Sequence, residues 1–388
     1  MYKICLVNDG FDLGGVQRVT TELANALNKN DNEVTVLDFS GKNYYYYKLA
    51  SSIKKPNAIR KRTINRKIIT KFKNYKYKIT GDPIKASLIF KDQYKDLLKY
   101  LKVNNFDFII VCQGNLTAAI PLIKKASPFS KIVAWQHNNY DVYMNKYYSN
   151  IIDDYCMGLE KADLVVCLTN EDVSEFARHN SNTISIYNPL TLTEPKVSNL
   201  NNKNIIFVGR LEIQQKGLDY LLEISKHLNP EWKIIIAGDG SDRKKFERLI
   251  KNNNLIEKIK LLGALSSEEL ADLYATGSIF ISTSRWEGFG LVITEAMASG
   301  LPIVSFNNSG PKEITGEGRY GILIDKYDCN EFINAVNNLI NNKSERVNLH
   351  TLSLERSKDF SISSIERIWI KELNKLKAKE YRLINNNE

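Results

Sequence analysis

The chain has 388 residues, of which 43% are hydrophobic and 25% are charged, and it carries a net charge of +10 and five cysteines. This length suits two domains rather than one core, and the composition is typical of a soluble globular protein. The sequence lacks an apolar run near the roughly 18 residues of a membrane-spanning helix, and its start reads as a strand and not as a signal peptide, so we predict a cytoplasmic protein. It also lacks a Cys-x-x-Cys pair, and an odd cysteine count fits a disulfide framework poorly.

The first half of the chain alternates short apolar runs with helix-like segments. Val16–Leu27 carries its apolar residues on one face, which predicts a helix. Runs rich in valine and isoleucine are typical of buried parallel strands. We therefore predict six strands in this half, at Lys3–Asn8, Glu33–Phe39, Asp107–Cys112, Lys131–Gln136, Asp163–Leu168 and Thr183–Tyr187.

A basic segment, residues 42–78, accounts for the positive charge of the chain. Between Asp38 and Asp82 there are 13 lysines and arginines and no acidic residue, which exceeds the net charge of +10 for the whole chain. Tyr44–Tyr47 lie in the same segment. We predict contact with an anionic membrane, near which each basic residue is worth about 1 kcal/mol, or with an anionic polymer or phosphate-bearing acceptor. A solvated insertion that adds solubility is the alternative, and no nucleic-acid-binding signature accompanies the segment.

The second half repeats the alternation after a change of texture near residue 190. Thr191–Asn204 is polar, as linkers are. Gly217–Leu228 and Arg243–Asn252 are predicted helices, and Ser361–Leu383 is predicted to be one long amphipathic helix. We predict six more strands, at Asn204–Val208, Trp232–Ala237, Lys258–Leu262, Ser278–Ser282, Pro302–Phe306 and Gly321–Ile324.

Two successive series of strands and helices predict an α/β protein with two doubly wound, Rossmann-like domains. These domains would be residues 1–190 and 191–360, followed by a C-terminal helix in residues 361–388. Doubly wound domains bind ligands at the carboxyl ends of their strands. If the two domains face each other, the site is expected in a central cleft between them.

The first of four loops that follow predicted strands is Asn8–Gly15. Its Gly14 and Gly15 let backbone amides approach a ligand at a helix N-terminus, where anions are favoured. The loop is neither the GxGxxG of dinucleotide-binding proteins nor a P-loop. A tight turn is the alternative explanation.

The second and third loops follow strands of the second half. In Gly209–Gly217, Arg210 and Lys216 stand six positions apart and would together neutralise a diphosphate, unless they are two surface cations. The third loop, AGDGS, contains Gly240, which permits close packing of a ligand. Leu262, at the end of the next strand, offers an apolar surface to a base. For Gly240 and for Leu262 the alternative is an ordinary strand-to-helix turn with no ligand.

The fourth loop lies within RWEGFGLVITEAMASG, residues 285–300. After the strand Ser278–Ser284 comes a loop with Glu287 at its outer edge, and then the helix Leu291–Ser299 with Glu295. The free amides at this helix N-terminus point toward any anion or hydroxyl placed there. A carboxylate accepts two hydroxyl hydrogen bonds at once, which suits a ribose diol or a sugar. The alternative is a loop acid and a helix acid with no shared role.

Four stretches of the sequence form a set when taken together. They are GGVQR, GRLEIQQKG, AGDGS and EGFGLVITEAMASGLPIV, which begin at residues 14, 209, 237 and 287. The set resembles the retaining glycosyltransferases of family four, which have the GT-B fold. The last stretch is the most specific, because seven residues separate its two glutamates and a small-residue helix end with Gly–Leu–Pro follows. The similarity is strong over 204–325, moderate over 1–28 and 131–190, and absent over 40–100.

The resemblance implies how a nucleotide-sugar donor is held. Arg210 and Lys216 would bind the diphosphate and stabilise it as the leaving group, while a backbone amide of Gly15 would meet the distal phosphate. Glu295 would bind the ribose hydroxyls, and Glu287 with the amides after it would hold the donor sugar. The implied donor-binding set is Gly15, Gly209, Arg210, Lys216, Gly240, Leu262, Glu287, Gly288, Phe289, Gly290, Leu291, Val292 and Glu295.

His137 matches the active-site histidine of the resembled family. Members often have an acidic residue after this histidine, whereas Asn138 and Asn139 follow it here, which leaves the polarity of the acceptor side open. The sequence has no Asp-x-Asp motif, in keeping with the metal-independent chemistry of the family, so neither a metal nor a cofactor is implied. The implied catalytic residues are His137, Arg210, Lys216 and Glu287.

The resemblance thus implies a retaining transfer of a sugar from a nucleotide diphosphate sugar, a UDP-sugar, to a hydroxyl of a glycan or lipid-linked acceptor. The setting would be bacterial cell-surface polysaccharide synthesis, with the basic segment at the inner face of the cell membrane. The first domain would bind the acceptor and the second the nucleotide sugar, and the C-terminal helix would pack back on the first domain, as in other GT-B enzymes. Two alternatives are a catalytically silent GT-B subunit that assembles at a membrane and a nucleotide-sugar epimerase of the same fold.

Overall fold

The computed structural model describes residues 1–192, 194–325 and 327–385, with side chains up to residue 378. The chain folds as two units. Unit 1 contains Met1–Pro189 and the C-terminal segment that starts at Ile362, and unit 2 contains Leu190–Ser361. Each unit is built around a parallel sheet.

The sheet of unit 1 accounts for all the strands described in that unit. The strands are β1 Lys3–Asn8, β2 Glu33–Asp38, β3 Phe108–Cys112, β4 Lys131–Trp135, β5 Leu164–Cys167 and β6 Thr183–Ser185. Their order across the sheet is β2-β1-β3-β4-β5-β6, and neighbouring strands are parallel. Each predicted strand of this half is confirmed, with ends that differ by at most two residues, because buried parallel strands are apolar on both faces.

The helices of unit 1 connect these strands. They are α1 Gly15–Lys29, α2 Ile64–Thr80, α3 Ala86–Ile89, α4 Lys91–Val103, α5 Gly114–Thr117, α6 Ile120–Ala126, α7 Tyr140–Val142, α8 Ile152–Lys161 and α9 Asn170–Phe176. A π-helical turn, Tyr143–Tyr147, follows α7, and a 3₁₀ turn, Ser149–Ile151, precedes α8.

Helix α2 lies inside the basic segment. The Thr63 side chain accepts a hydrogen bond from the Arg66 backbone N–H and so caps the helix N-terminus. Gly81 ends the helix with a φ of 74°, which glycine adopts without strain. Earlier in the segment, the Tyr45 ring packs against Phe11 with centroids 5.1 Å apart. This tyrosine therefore packs on its own unit.

The sheet of unit 2 is likewise parallel. Its described strands are β7 Asn204–Val208, β8 Lys233–Ala237, β9 Ile259–Gly263, β10 Ile279–Ser282, β11 Ile303–Phe306 and β12 Ile322–Ile324. Their order is β12-β11-β10-β7-β8-β9, which is the doubly wound order of dinucleotide-binding domains. The predicted strands of this half are also confirmed, to within one residue at each end.

The helices of unit 2 follow the same alternation. They are α10 Ile213–Lys216, α11 Leu218–Lys226, α12 Arg243–Asn252, α13 Ser267–Ala275, α14 Leu291–Ala298, α15 Ser309–Ile314, α16 Cys329–Asn341 and α17 Lys343–Ser357. A 3₁₀ turn, Lys358–Phe360, ends the unit.

The last helix, α18 Ile362–Asn385, belongs to unit 1 and packs against α1. Its Trp369 is fully buried and meets Trp135 edge to face, with ring centroids 5.0 Å apart. Ile365 and Leu373 are buried on the same stripe. Among the described helices, none combines the length and the apolarity needed to cross a bilayer.

Both sheets reverse their strand order at one point. In unit 1 the reversal lies between β1 and β3, and in unit 2 it lies between β7 and β10. Connections leave opposite faces of the sheet at such a point, which opens a crevice at the carboxyl ends of the two strands. Ligands are expected at these two places.

Candidate functional site

Two of the four predicted loops meet at the reversal point of unit 2. Gly209–Gly217 follows β7, and residues 283–290 follow β10. The two strands are direct neighbours, with Ile206 opposite Phe280. The loops therefore leave the sheet side by side although they are far apart in sequence.

Backbone contacts bind these two loops to each other. The Arg285 N–H donates to the Gln215 carbonyl over 2.8 Å, and the Thr283 hydroxyl donates to the Lys216 carbonyl over 2.9 Å. Gly217 has a φ of 60°, and a Cβ at this position would lie 2.0 Å from the Thr283 carbonyl oxygen. Both the conformation and the space thus require glycine where the loops touch.

The Arg285 guanidinium strengthens the same junction. It forms a two-pronged ion pair with Asp219, with an Nη1–Oδ1 distance of 2.9 Å, and it lies 4.5 Å from the centroid of the Tyr220 ring. It also donates to the Ile213 carbonyl over 3.3 Å. The hydrogen bond to Asp219 raises the pKa of Arg285, so its guanidinium stays protonated.

The centre of the site is a buried ion pair between Lys216 and Glu287. The lysine Nζ donates to the Oε1 of the carboxylate, and the Ser284 hydroxyl donates to the same oxygen over 2.8 Å. The side chains of Lys216 and Glu287 are only 11% and 12% exposed. Glu287 is thus buried, which corrects the expectation that it lies at the outer edge of its loop.

Arg210 occupies a different position from Lys216. Its side chain is 62% exposed and pairs with Glu212 on its own loop, with an Nη1–Oε1 distance of 3.2 Å. Its Nη2 also donates to Gln215 over 3.0 Å. The two cations that the sequence grouped together therefore differ, since one is buried in an ion pair and the other lies on the exposed rim.

The N-terminus of α14 adjoins the ion pair in sequence. Gly290 stands before the helix with a φ of 116°, and no side chain caps it. The amides of the first turn, which include those of Leu291 and Val292, have no acceptor within a helix. Phe289 is buried, and a Cβ on Gly310 would lie 2.0 Å from its carbonyl oxygen, so the approach to α14 is tightly packed.

Glu295 lies one turn into α14 and is buried. Its Oε1 accepts from the Thr191 hydroxyl over 2.6 Å, and its Oε2 accepts from the Tyr274 hydroxyl over 3.0 Å. The carboxylate is therefore held by two hydroxyl groups of its own unit.

The comparisons with known proteins agree with this geometry. Residues 191–352, which contain both loops, match the family model "Glycosyl transferases group 1". The chain is 26% identical over 391 residues to the amylovoran biosynthesis glycosyltransferase AmsD of Erwinia amylovora, covering 96% of this chain and 100% of AmsD. HepE of Anabaena, solved in complex with UDP and glucose, matches with a TM-score of 0.74 at 16% identity, over 97% of this chain and 100% of HepE. The chain has the GT-B fold, and its residues 191–352 are similar to the group 1 glycosyltransferases.

A second protein is similar to the chain over nearly its whole length. It is the GalNAc-alpha-(1->4)-GalNAc-alpha-(1->3)-diNAcBac-PP-undecaprenol alpha-1,4-N-acetyl-D-galactosaminyltransferase of Campylobacter jejuni. The two proteins are 23% identical over 386 residues, covering 97% of this chain and 99% of the relative.

The third predicted loop of the chain packs on the second. A Cβ on Gly240 would lie 2.6 Å from the Leu211 carbonyl oxygen, and a Cβ on Gly238 would lie 1.9 Å from the Gly209 carbonyl oxygen. Both glycines are thus explained by the close approach of two loops. Leu262, in β9, lines a groove of about 450 Å³.

Gly15 and His137 belong to unit 1. Gly15 is the first residue of α1, and His137 follows β4 by two positions. The His137 ring is buried, with its centroid 4.3 Å from that of Trp135, and burial lowers the pKa of His137 to about 3. Within the described residues neither ring nitrogen has a hydrogen-bond partner. The imidazole is therefore neutral at physiological pH.

Three residues of the site were not identified from the sequence. Thr283, Ser284 and Arg285 connect the two loops or hold the buried carboxylate. One signal pointed to them, since Arg285 is the first residue of the predicted fourth loop. Their roles depend on which loop lies alongside, which a single segment does not show.

Proposed function

We propose that the protein transfers a sugar from a UDP-sugar to a hydroxyl of a glycan or lipid-linked acceptor, with retention of the anomeric configuration. The observation that carries the proposal is the buried pair of Lys216 and Glu287 at the reversal point of the unit 2 sheet. It joins a cation suited to phosphate with a carboxylate suited to sugar hydroxyls. The HepE structure, which holds UDP and glucose, supports the choice of donor.

The residues near the pair would assist departure of the diphosphate. As the bond from the anomeric carbon to the phosphate oxygen breaks, negative charge grows on the diphosphate. Lys216, Arg210 and the first-turn amides of α14 would stabilise that charge, which is the largest effect available in a closed site. These groups would do so without a metal ion.

The carboxylates would hold the two ends of the donor. Glu287 would accept hydrogen bonds from the sugar hydroxyls and Glu295 from the ribose hydroxyls. The acceptor hydroxyl would attack from the face that the diphosphate leaves, and its proton would pass to the departing phosphate oxygen. No protein nucleophile is needed. A backbone amide of Gly15 would contact the distal phosphate, and the neutral His137 would lie near the transferred sugar.

Two relatives support an acceptor in cell-surface glycan synthesis. One is named for amylovoran biosynthesis, and the name of the other contains a glycan on PP-undecaprenol. Both cover nearly the whole of this chain. We therefore place the reaction in bacterial cell-surface polysaccharide synthesis, with a lipid-linked glycan as the acceptor.

Helix α2 supports a position at the inner face of the membrane. Five of its apolar side chains are more than half exposed, namely Ile64, Ile68, Phe72, Tyr75 and Ile79. At 3.6 residues per turn they fall within an arc of about 80°. Such a narrow exposed stripe on a helix that is otherwise rich in lysine is typical of helices that lie in the membrane interface.

The positive charge of α2 favours a membrane that contains anionic lipid. Lys67, Lys71 and Lys78 lie along one side of the apolar stripe, and Lys76 lies on the other. From Ile64 to Thr80 the helix has no acidic residue. The apolar side chains would enter the head-group region while the lysines meet the lipid phosphates.

A donor panel tests the proposed activity. UDP-, GDP- and ADP-sugars are added in turn, and thermal unfolding and release of the nucleoside diphosphate are measured. We expect UDP-sugars to raise the unfolding temperature most, since they bind the folded state, and to be hydrolysed slowly without acceptor. Unchanged turnover in a folded Arg210→Ala variant would contradict the proposed departure step. A silent subunit would hydrolyse no donor, and an epimerase would form an epimer without acceptor.

A further inference from the structure

A polar pocket of about 220 Å³ lies at the reversal point of the unit 1 sheet. Asp9, which follows β1, and Asn115, which follows β3, both line it. These strands are the pair between which the strand order reverses, so the pocket occupies the place where a doubly wound sheet binds ligands. Its volume far exceeds the roughly 10–15 Å³ that one water molecule requires.

Side chains from three parts of the chain converge on this switch-point pocket. Arg62 precedes α2, Asn74 lies on α2, and Asn150 lies in the 3₁₀ turn before α8. The Asn150 amide donates to the Asn74 side-chain oxygen over 2.9 Å, which leaves the Asn74 amide N–H groups for another acceptor. The Arg62 guanidinium donates to Thr70 and lies 5.1 Å from the Phe90 ring centroid.

One polar atom in this cluster lacks a partner. The Arg62 Nε is buried, and among the described residues it has no hydrogen-bond partner. A buried guanidinium N–H without an acceptor is costly, so a ligand oxygen in the pocket would satisfy it.

The charge of the pocket favours a neutral ligand. Among the residues that line the pocket, Asp9 has the one carboxyl group and Arg62 the one cationic group. Burial raises the pKa of Asp9 to about 6, while Asn115 and Arg62 act to lower it, so the carboxylate is ionised at neutral pH. A carboxylate would repel a phosphate, whereas it accepts hydrogen bonds readily from hydroxyls.

We propose that the switch-point pocket binds a neutral sugar ring of the acceptor, a proposal that rests on the function proposed above. Asp9 and Arg62 bind sugar hydroxyls, and the amides of Asn74 and Asn115 each donate and accept, as a pattern of hydroxyls requires. Phe90, which also lines the pocket, adds apolar surface for the sugar C–H groups.

The position of the pocket relative to α2 agrees with a lipid-linked sugar. Thr70 and Asn74, which line the pocket, lie on the face of α2 opposite the exposed apolar stripe. One helix thus contributes to the sugar pocket on its inner side and to the lipid-facing stripe on its outer side.

Saturation-transfer NMR tests the pocket with methyl glycosides of glucose, galactose, N-acetylglucosamine and N-acetylgalactosamine as probes. The full chain and two variants of the same helix, Asn74→Leu and Asn65→Leu, are compared. Asn65 is exposed on α2 and does not line the pocket, so it is the matched control. We expect at least one glycoside to bind the wild type and the Asn65→Leu variant, and to bind the Asn74→Leu variant at least about fivefold more weakly.

Three outcomes would overturn the proposal. The first is that the wild type gives no saturation-transfer signal for any glycoside. The second is equal binding by both variants, and the third is displacement of the glycoside by inorganic phosphate. Thermal shift with UDP is measured on the same samples and should be unchanged by Asn74→Leu. A wild type that binds a glycoside but not UDP would contradict the donor chemistry and leave the pocket standing, so the two failures are distinguishable.

Discussion

Lys216 and Glu287 are 71 positions apart and form a buried ion pair. The pair exists because β7 and β10 are neighbours in the sheet, although β8 and β9 separate them in sequence. Each residue comes from the loop that follows one of these strands. The strand order of unit 2 thus creates the site.

The first prediction concerns this pair. Lys216→Met leaves a buried carboxylate without its cation and should lower the free energy of unfolding by about 3–5 kcal/mol. The double variant Lys216→Met/Glu287→Met should be more stable than either single variant, since no charge is left unpaired. Urea unfolding of the four proteins measures the coupling. Additive effects of the two single changes would contradict the importance of the pair.

The second prediction compares two glycines in the left-handed region. Gly217 and Gly81 have φ values of 60° and 74°, but only at Gly217 would a Cβ meet backbone, 2.0 Å from the Thr283 oxygen, whereas nothing lies within 4 Å at Gly81. Gly81→Ala should cost about 1 kcal/mol from conformation alone. Gly217→Ala should cost more and also raise the KM for the donor, because the two loops separate. Equal effects on stability and KM would contradict this account of the junction.

The third prediction is a pH dependence. Burial lowers the pKa of His137 from 6.5 to about 3, so below pH 6.5 the unfolded chain takes up a proton that the folded chain does not. The stability that comes from this group is full above pH 6.5 and is lost as the pH falls toward 3, by about 1.4 kcal/mol per pH unit.

The variant His137→Gln isolates this effect. As the pH falls from 6 to 4.5, the stability of the variant relative to the wild type should increase by about 1.4 kcal/mol per pH unit. Between pH 7.5 and pH 8.5 the difference should be constant. Asp9 and Asp172, whose pKa values burial raises to about 6, are present in both proteins, so their contributions cancel. Urea unfolding at each pH measures the difference. A difference that does not vary with pH would show that the imidazole is not held neutral.

The fourth prediction tests whether the exposed apolar stripe of α2 contacts a membrane. Phe72→Ser removes an exposed aromatic ring from α2, and burying such a ring in lipid is worth about 1.5–3 kcal/mol, so partition onto vesicles with anionic phospholipid should fall roughly tenfold or more. Val347→Ser changes an exposed apolar side chain of α17, outside the basic segment, and this control should bind as the wild type does. Co-sedimentation with the vesicles at low and high salt measures the apolar and the electrostatic contributions to binding, and salt should weaken the binding. Binding that survives deletion of residues 42–78 would refute the assignment.

The sequence predicts the fold of this protein well. Strands in the middle of a parallel sheet are buried on both faces, so each appears as a continuous apolar run that contrasts with the helices around it. Only the strand ends differ, as with Thr183–Ser185, which ends two residues before the prediction. The strand order, by contrast, cannot be read from such runs.

The site is predicted less completely for the same reason. Lys216 and Glu287 could each be chosen from loop chemistry, but their contact depends on the neighbouring position of two strands. The expected outer position of Glu287 was wrong because the Lys216 ammonium and the Ser284 hydroxyl draw its carboxylate inward. The switch-point pocket was not predicted, since its side chains come from separate segments between Asp9 and Ile151.

The two-sided character of α2 sets a length scale. A helix with its side chains is about 10 Å across. A sugar ring against Asn74 and a lipid surface against Phe72 would therefore be separated by about that distance, on opposite sides of one helix. A diphosphate linker is of comparable length. A growing chain attached to its lipid could then be extended while its hydrocarbon tail stays in the bilayer, and the enzyme would need to move along the membrane rather than extract its acceptor from it.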